Sequence, residues 1–359
     1  MESDYVNFLI AIFIERNRLL FCQRQNNNYW CVHMVFQVRS KILFSSLKKA
    51  ARSTLARIIF YILPSEIMKD QRFFCLWEKK GFHVTPVHFY SPIPEICSLP
   101  ENLWKRESQL IGVNINESAQ IELLSVFRRF KTEYDLFPND KPSNPHQYYI
   151  QNGMLISVDG EVLYSMIRYY KPKRIIEVGS GYSTMLSAQA ILKNKQEDPL
   201  YDCQLIAVEP YPSDLLKEGF PGLSKLISKK VQETSLSDFE LLEEGDILFI
   251  DSSHVLEIGS DVQYLYLELI PRLKKGVIIH CHDIFLPAEY PRKWAIEEGR
   301  FWSEQYLLQA FLAFNESFQV LWAGHFMHLH HPELLEKSFS SYNRMSRSFP
   351  GSFWLQKIK

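Results

Sequence analysis

The sequence predicts an α/β fold built on a doubly wound, mainly parallel sheet of seven strands. Two observations predict it. From residue 174 onward, short apolar runs rich in β-branched residues alternate with segments of helical periodicity, as in repeated βαβ units. One of these runs, 174–178, ends in the glycine turn Gly179-Ser-Gly181, and a helical segment follows directly. Ligands of such sheets bind at the carboxyl ends of the strands, so functional residues are expected there.

The elements of this sheet can be placed in order along the chain. A helix is expected over 159–170, headed by Asp159 as its cap and stopped by Lys171-Pro172. The predicted strands are 174–178, 204–209, 225–231, 246–251, 276–283, 319–324 and 352–357. The predicted helices between them are 185–192, 262–273 and 301–314.

The chain ahead of the sheet divides into two predicted parts. Residues 1–65 form a basic, partly amphipathic extension of irregular and helical character, since three acids stand against nine lysines and arginines. Residues 66–150 form an aromatic and proline-rich cap, and 151–359 form the cofactor-binding domain. A basic helix that begins near Leu43 either packs on that domain or makes weak contact with an anionic membrane surface. The natural start is either Met1 or Met34, and the sequence leaves both open.

Composition excludes several classes of function. The formal net charge of −1 over 359 residues gives no general attraction to nucleic acid. The six cysteines contain no C-x-x-C pair, which disfavours a disulfide framework or a thiolate zinc site and favours a reducing cytoplasm. The apolar run 8–14 is too short to cross a bilayer. We therefore expect a cytoplasmic protein, peripheral to a membrane if its basic helix binds lipid, that acts on a small molecule and can form a homo-oligomer.

The glycine turn predicts a nucleoside ligand with a cationic tail. A dinucleotide-binding fingerprint would carry a third glycine where this chain has Thr184, and an acid about 20 residues further on. Here the acid is Glu209, thirty positions after Gly179. Glu209 would hold a ribose diol, and Glu177, on the strand before the turn, would lie near an ammonium group. The alternative interpretation is a purely structural strand, turn and helix.

Titratable residues follow two further strands. Asp251 and His254 come after the fourth predicted strand, and His282 and Asp283 end the fifth. Asp251, His282 and Asp283 offer two carboxylates and an imidazole, which suit Mg²⁺, or Mn²⁺ where nitrogen is used. His254 is placed to take a proton from a hydroxyl bound to that metal, since an ordinary histidine pKa suits a base at neutral pH. Alternatively, Asp251 caps a helix and His254 is a solvated loop residue.

These residues resemble the motifs of a known family, the class I S-adenosylmethionine-dependent methyltransferases, over 152–326. The motifs are Glu177-Val-Gly-Ser-Gly-Tyr-Ser-Thr184, Val208-Glu209, Phe249-Ile-Asp-Ser-Ser-His254 and His282-Asp283. Within the class the chain is similar to the metal-dependent sugar O-methyltransferases of macrolide biosynthesis, the rhamnosyl O-methyltransferases and the cephalosporin-hydroxylase-type proteins. The related sugar enzymes tend to carry an acidic pair where this chain has His282-Asp283.

The resemblance implies a methyl donor, an acceptor class and residue roles. S-adenosylmethionine is the expected cofactor, with Glu177 ordering its amino group and Glu209 binding its ribose hydroxyls. The other expected cofactor contacts are Gly179, Gly181, Tyr182, Ser183, Asp251 and Ser252. The implied reaction is methyl transfer to a hydroxyl of a small sugar-like or secondary-metabolite acceptor, with a divalent metal and with His254 as base. Two alternatives stay open: a nicotinamide-dependent oxidoreductase, and a non-catalytic cofactor-binding scaffold at a membrane surface.

The region after the fifth predicted strand is less explicit. Aromatic residues cluster in 287–294 and 302–306. They would form a lid that stacks on a sugar or aromatic acceptor, or they would pack as ordinary hydrophobic side chains.

Overall fold

The computed structural model describes residues 11–15, 18–25, 28–34, 54, 70–342 and 349–359. The chain separates into two compact units, Met1–Pro94 and Glu95–Lys359. Apart from Thr54, the basic helix predicted from Leu43 lies outside the described residues, so membrane contact through it stays a prediction. Among the residues that are described, no helix is long and apolar enough to cross a membrane.

The described part of the first unit contains an antiparallel sheet and a helix. Strands β1 (Ala11–Glu15), β2 (Arg18–Gln25) and β3 (Asn28–Met34) pair in that order. Helix α1 (Gln71–Glu78) follows later in the chain. The described part of the extension thus contains three strands that the sequence analysis did not predict, and the helical structure predicted for 43–62 lies almost wholly outside the described residues. The connections Arg16-Asn17 and Asn26-Asn27 contain no glycine, so the sequence carries no strong hairpin signal there.

The second unit is built on the predicted seven-stranded sheet. Its strands follow the order β6-β5-β4-β7-β8-β10-β9; β10 is antiparallel to both neighbours, and β6, β5, β4, β7 and β8 are parallel. The strands are β4 (Arg174–Val178), β5 (Gln204–Val208), β6 (Lys225–Ile227), β7 (Ile247–Ile250), β8 (Ile278–Cys281), β9 (Phe318–Ala323) and β10 (Phe353–Lys357). The predicted α/β class is therefore confirmed, and each predicted strand is present, several of them with shorter bounds.

Helices surround this sheet, and their order follows the predicted alternation. They are α2 (Glu117–Phe127), α3 (Lys131–Tyr134), α4 (Asp159–Tyr170), α5 (Tyr182–Glu197), α6 (Asp214–Glu218), α7 (Leu236–Phe239), α8 (Asp261–Tyr264), α9 (Arg292–Ile296), α10 (Glu304–Leu312), α11 (Gly324–His330) and α12 (Pro332–Ser338). Short 3₁₀ turns lie at Ile96–Ser98, Glu101–Lys105, Arg128–Phe130 and Val231–Glu233.

The helix predicted over 262–273 is composite. Helix α8 continues into a π-helical turn, Leu265–Leu269, and then into a 3₁₀ turn, Ile270–Arg272. Pro271 lies in that last turn and has no backbone N–H to donate, which accounts for the end of regular helix there.

Helix α4 has the predicted bounds, but its cap is a different residue. Val158 takes the cap position, and the Asp159 carboxylate accepts the backbone N–H groups of Gly351 (2.8 Å) and Ser352 (3.0 Å), just before β10. Asp159 is buried, with 2% of its surface exposed. The prediction that Asp159 caps the helix is wrong, because its carboxylate instead ties the helix to the C-terminal strand.

The core holds the carboxyl ends of the central strands in place. Strands β7 and β8 are buried along their whole length, as expected at the centre of a sheet covered on both faces. Helices α4 and α5 pack against each other, and the buried guanidinium of Arg168 joins Glu133 (2.9 Å) to Glu197 (2.7 Å). Since a buried charge is costly unless it is paired, this network ties α4 to both α3 and α5.

Candidate active site

The glycine turn after β4 is shaped by a close approach of two strands. Gly179 has a φ of +83°, and a Cβ atom there would lie 1.7 Å from the carbonyl oxygen of Asp251. No side chain fits in that space. Position 179 therefore requires glycine, because the end of β7 approaches the turn so closely. At Gly181, by contrast, a Cβ would meet nothing within 4 Å. The backbone N–H of Gly181 donates to Thr184 Oγ1 (2.9 Å), so the residue in place of a third glycine caps α5.

Glu209, at the end of β5, is fixed next to this turn. One carboxylate oxygen accepts the backbone N–H of Ser180 (3.2 Å), and the other accepts that of Tyr211 (2.8 Å). The carboxylate is half-buried and lines the same cavity as the turn. Each oxygen keeps a lone pair for a further donor, as a ligand hydroxyl would supply.

Glu177 lies beneath the turn and does not line the cavity. Its side chain is 1% exposed, and neither carboxylate oxygen has a hydrogen bond of acceptable geometry to any described residue. Burial raises the pKa of Glu177 to about 8, and the nearby Ser183 and Thr184 hydroxyls oppose that rise only in part. A buried carboxyl group of this kind takes its charge when a cation comes near.

His254 is held in one orientation by a buried carboxylate. Its Nδ1 lies 2.8 Å from Oε2 of Glu304, which is fully buried in the first turn of α10. The Tyr266 hydroxyl donates to the other oxygen of Glu304 at 3.0 Å. Since a carboxylate only accepts, Nδ1 carries the hydrogen, and Nε2 is the nitrogen that faces the cavity.

Two carboxylates from neighbouring strand ends face that nitrogen. His254 Nε2 lies 3.3 Å from Asp251 Oδ1 and 3.7 Å from Asp283 Oδ2. One ligand atom from each of these three residues lies within 4.8 Å of the other two, a spacing that could hold a metal ion. His282 also lines the cavity, with Nε2 3.8 Å from Asp283 Oδ1, but it does not belong to that trio. The predicted set of Asp251, His282 and Asp283 stays a prediction, and the geometry adds His254 as a rival nitrogen ligand.

The electrostatics of this cluster favour a proton on His254. Burial by itself would lower the pKa of His254, but Asp251 and Glu304 outweigh it and hold the pKa well above its ordinary value. Burial raises the pKa of Asp283, whereas the neighbouring histidines, His282 first, overcome burial and lower the pKa of Asp251. Each ring nitrogen of His254 thus has a carboxylate next to it, and the cluster attracts positive charge.

The backbone at two of these residues is strained. His254 has a φ of 61° and Asp283 a φ of 54°, in the left-handed region that residues with a side chain adopt rarely. Such conformations cost on the order of 1 to 3 kcal/mol each and cluster at functional sites. Here they place both side chains in the cluster at the ends of β7 and β8.

The cavity at this edge of the sheet has a volume of about 690 Å³. It joins the glycine turn and Glu209 to the His254 cluster, and Trp294, Arg300 and Trp302 form another part of its lining. The predicted contact residues Tyr182, Ser183 and Ser252 also line it.

Two features of the site were missed by sequence reasoning. Glu304 lies fifty positions after His254 and shows only as an acid in a first helical turn, so nothing local links the two. Tyr149, in the predicted cap segment, lines the cavity, and its hydroxyl is 3.1 Å from that of Tyr182. The predicted aromatic lid did include Trp302, whose ring centroid is 4.3 Å from that of His254.

Comparison with known proteins identifies the domain. Residues 176–284 match a family model described as a methyltransferase domain, from β4 through the glycine turn to the His282-Asp283 pair. The chain belongs to the class I S-adenosylmethionine-dependent methyltransferases. This confirms the predicted class and leaves the acceptor atom, the metal and the substrate of the methyltransferase as proposals.

Other similar proteins add little about its reaction. An uncharacterized protein of Archaeoglobus fulgidus is 34% identical over 174 residues, which is 45% of the methyltransferase and 75% of that relative. Among solved structures, the apo structure of CmcI-N160 is 15% identical, with coverage of 64% and 84% of the two chains and a TM-score of 0.31. CmcI-N160 with SAH is 16% identical, with coverage of 64% and 91% and a TM-score of 0.31. At such TM-scores the structural likeness carries no weight, and the family model decides the assignment.

Proposed function

We propose that the methyltransferase moves a methyl group from S-adenosylmethionine to a hydroxyl oxygen of a small, sugar-like or secondary-metabolite acceptor, with a divalent cation at the site. One observation carries the proposal. His254 Nε2 opens into the same cavity as the glycine turn, while Nδ1 is held by the buried Glu304 carboxylate. An imidazole fixed in this way is suited to remove a proton next to a bound methyl donor.

The chain's own residues fit the donor. The bare turn at Gly179 and Gly181 lets backbone approach the methionine part of S-adenosylmethionine, and Glu209 has free lone pairs for the ribose diol. Among the described residues, none forms a hydrogen bond with the Glu177 carboxylate, which lies below the turn, so the donor's ammonium group would favour its ionised form across the turn. We assign Tyr182, Ser183, Asp251 and Ser252, which line the cavity, to the remaining donor contacts.

The residues also fit a divalent cation. The carboxylates of Asp251 and Asp283 are partly exposed, with side chains 31% and 20% accessible, and they face the same space. Carboxylate oxygens suit Mg²⁺, and a nitrogen from His282 would shift the preference toward Mn²⁺. When bound, such a cation would lower the pKa of an acceptor hydroxyl and stabilise the developing alkoxide.

His254 then completes the proton balance of the transfer. Neutral Nε2 takes the hydroxyl proton while the oxygen forms its bond to the methyl carbon and the carbon–sulfur bond of the donor breaks. Glu304 accepts the Nδ1–H throughout and stabilises the imidazolium that results. General bases of this kind contribute roughly 100- to 10,000-fold to a rate.

Two measurements test the proposal separately. Calorimetry with S-adenosylhomocysteine tests the donor site, and failure of the folded protein to bind it would reject the central claim. Incubation with methyl-labelled S-adenosylmethionine and a panel of polyols, catechols and glycosides tests transfer to oxygen, with the product bond identified by mass spectrometry.

The metal is tested on its own. Treatment with a chelator should abolish transfer, and added Mg²⁺ or Mn²⁺ should restore it. Asp251→Ala should lose this metal response, whereas Asp202→Ala, at an exposed aspartate that does not line the cavity, should keep it. Activity that is unaffected by chelator and by Asp251→Ala would reject the metal and leave methyl transfer standing.

A further inference from the structure

The side chain of Arg300 brings a positive charge to the cavity, in a part of the lining that is separate from the residues assigned to the methyl donor. Arg300 lines the cavity together with Trp294 and Trp302. Its guanidinium carbon is 4.8 Å from the centroid of the Trp294 ring and 5.1 Å from that of Trp302. Contacts of this length with two indole rings are cation–π interactions and hold a guanidinium in place.

The hydrogen-bonding capacity of this guanidinium is largely unused. Arg300 Nε is 3.0 Å from Glu298 Oε2, and its backbone N–H donates to the Trp294 carbonyl. Among the described residues, neither Nη atom donates a hydrogen bond, and the ion pair with Glu298 is closest through Nε. The side chain is 42% exposed, so the two Nη groups are open to a ligand in the cavity. A fixed guanidinium with free N–H groups matches the two oxygens of a carboxylate or phosphate.

Trp302 connects this cation to the reacting centre. Its ring is 4.3 Å from the His254 ring, and it packs edge-on against Trp294 at 4.9 Å and Tyr290 at 6.1 Å. Packing on three sides makes the indole a rigid surface next to the base. Flat or partly apolar rings, of an arene or a sugar, stack on such a surface.

A second cation supports the same assignment. Lys141 lines the cavity and is exposed, and none of the described residues forms an ion pair with it. The acids of the lining have partners: Glu209 binds two backbone N–H groups, while Asp251 and Asp283 face His254. Lys141 is therefore a cation of the lining without an ion pair among the described residues, whereas Arg300 is paired with Glu298 through Nε and directs its Nη groups elsewhere.

We propose that the acceptor is a ring compound that carries an anionic group, with its ring on Trp302, its anion on Arg300 and its hydroxyl at His254. This inference rests on the proposed methyl transfer and names the substrate class of the same site. Carboxylate and phosphate share the chemistry that Arg300 recognises, and the probes below separate them.

The test compares matched probes on protein saturated with S-adenosylhomocysteine and Mg²⁺. Titration calorimetry is run with catechol and 3,4-dihydroxybenzoate, and with glucose and glucose 6-phosphate. We expect one of the two anionic probes to bind about 10-fold more tightly than its neutral partner, since a hydrogen bond to a charged group is worth roughly that much at a half-exposed site. Preference for the acid in the first pair indicates a carboxylate ligand, and in the second pair a phosphate.

Variants assign the effect to this residue. Arg300→Met keeps the aliphatic stem and should bring each anionic probe to the affinity of its neutral partner. Arg292→Met is the matched control, since Arg292 is a comparably exposed arginine paired with Glu101 outside the cavity, and it should keep the 10-fold preference. An unchanged thermal unfolding midpoint checks that Arg300→Met is folded.

Several results would overturn the inference. Equal affinities for the acidic and neutral probes, an unchanged preference in Arg300→Met, or no binding of any probe to the saturated protein would each do so. Failure of S-adenosylhomocysteine itself to bind is seen in the first titration and counts against the proposed function instead. The two claims therefore fail in distinguishable ways.

Discussion

The Glu304 carboxylate gives the site its sharpest test, because it binds the ring of His254 from behind and does not itself line the cavity. Glu304→Gln replaces the charged partner of Nδ1 by a neutral amide of the same shape. In the wild-type protein, Asp251 and Glu304 outweigh burial and raise the pKa of His254. Removal of one of these two carboxylates should lower that pKa, while the second carboxylate, 3.3 Å from Nε2, stays in place.

The size of the change follows from the contact that is lost. A buried hydrogen bond to a charged group contributes about 1.5 to 3 kcal/mol, and 1.36 kcal/mol corresponds to one pH unit. The pKa of His254 should therefore fall by about 1 to 2 pH units in Glu304→Gln.

Stability should follow with a defined sign. A histidine whose folded pKa is raised stabilises the fold fully below its ordinary value of 6.5, and this stabilisation is lost as pH rises through the folded pKa. The wild-type protein should thus lose stability over a wider range above pH 6.5 than the variant does.

The assay is NMR titration of the histidine ring in chelator-treated protein, with the His254 signals assigned by their absence in His254→Asn. Glu289→Gln serves as the control, since Glu289 is another acid of this region that accepts hydrogen bonds from Tyr306 and Gln305 and does not contact His254. An unchanged pKa of His254 in Glu304→Gln, or an equal fall in the control, would refute the assignment of Glu304 as the partner that raises it.

Three further predictions concern the turn and the clustered acids. Gly179→Ala should abolish binding of S-adenosylhomocysteine or prevent folding, because its Cβ would lie 1.7 Å from a carbonyl oxygen, whereas Gly181→Ala should fold normally, as circular dichroism and calorimetry can check. Glu177→Gln should remove a loss of stability that the wild type shows as pH rises from 4.5 through about 8, the raised pKa of this buried carboxyl, and unfolding midpoints at pH 5 and pH 8 compare the two proteins. Asp283→Asn should raise the unfolding midpoint in the presence of chelator, because it removes one of the clustered negative charges and asparagine tolerates the left-handed backbone; a lower midpoint would contradict this.

Patterns that are local in sequence predicted the sheet and the position of the glycine turn next to Glu209. The seven strands are short apolar runs between turns, and the glycine turn with Glu209 requires only that consecutive strands lie side by side. For the same reason Asp251, His254 and Asp283 could be placed together from their positions in the sequence, since they follow strands that pair as β7 and β8.

Contacts between distant segments were beyond that reasoning. The Glu304 carboxylate reaches His254 only because α10 packs beside the β7 end, and a first-turn glutamate is an ordinary feature of any helix. Asp159 resembles a helix cap in sequence, yet the segment before β10 returns to it from nearly two hundred residues away. In both cases a charged side chain finds its partner through tertiary packing, which no periodicity records.

The choice between metal ligand and base for His254 follows from its single free nitrogen. Glu304 accepts the hydrogen on Nδ1, so Nε2 alone is left to carry a proton, to bind a metal ion or to accept the proton of the acceptor hydroxyl. Without a metal, Asp251 and Asp283 favour the proton on Nε2, and a protonated imidazole cannot act as base. A divalent cation on those two carboxylates would neutralise what holds the proton and lower the pKa of His254. Binding of the cation and loss of the Nε2 proton are therefore coupled. In the metal-free protein Asp251 and Asp283 keep His254 protonated and unable to act as base, and a cation bound to these two carboxylates would let it lose that proton.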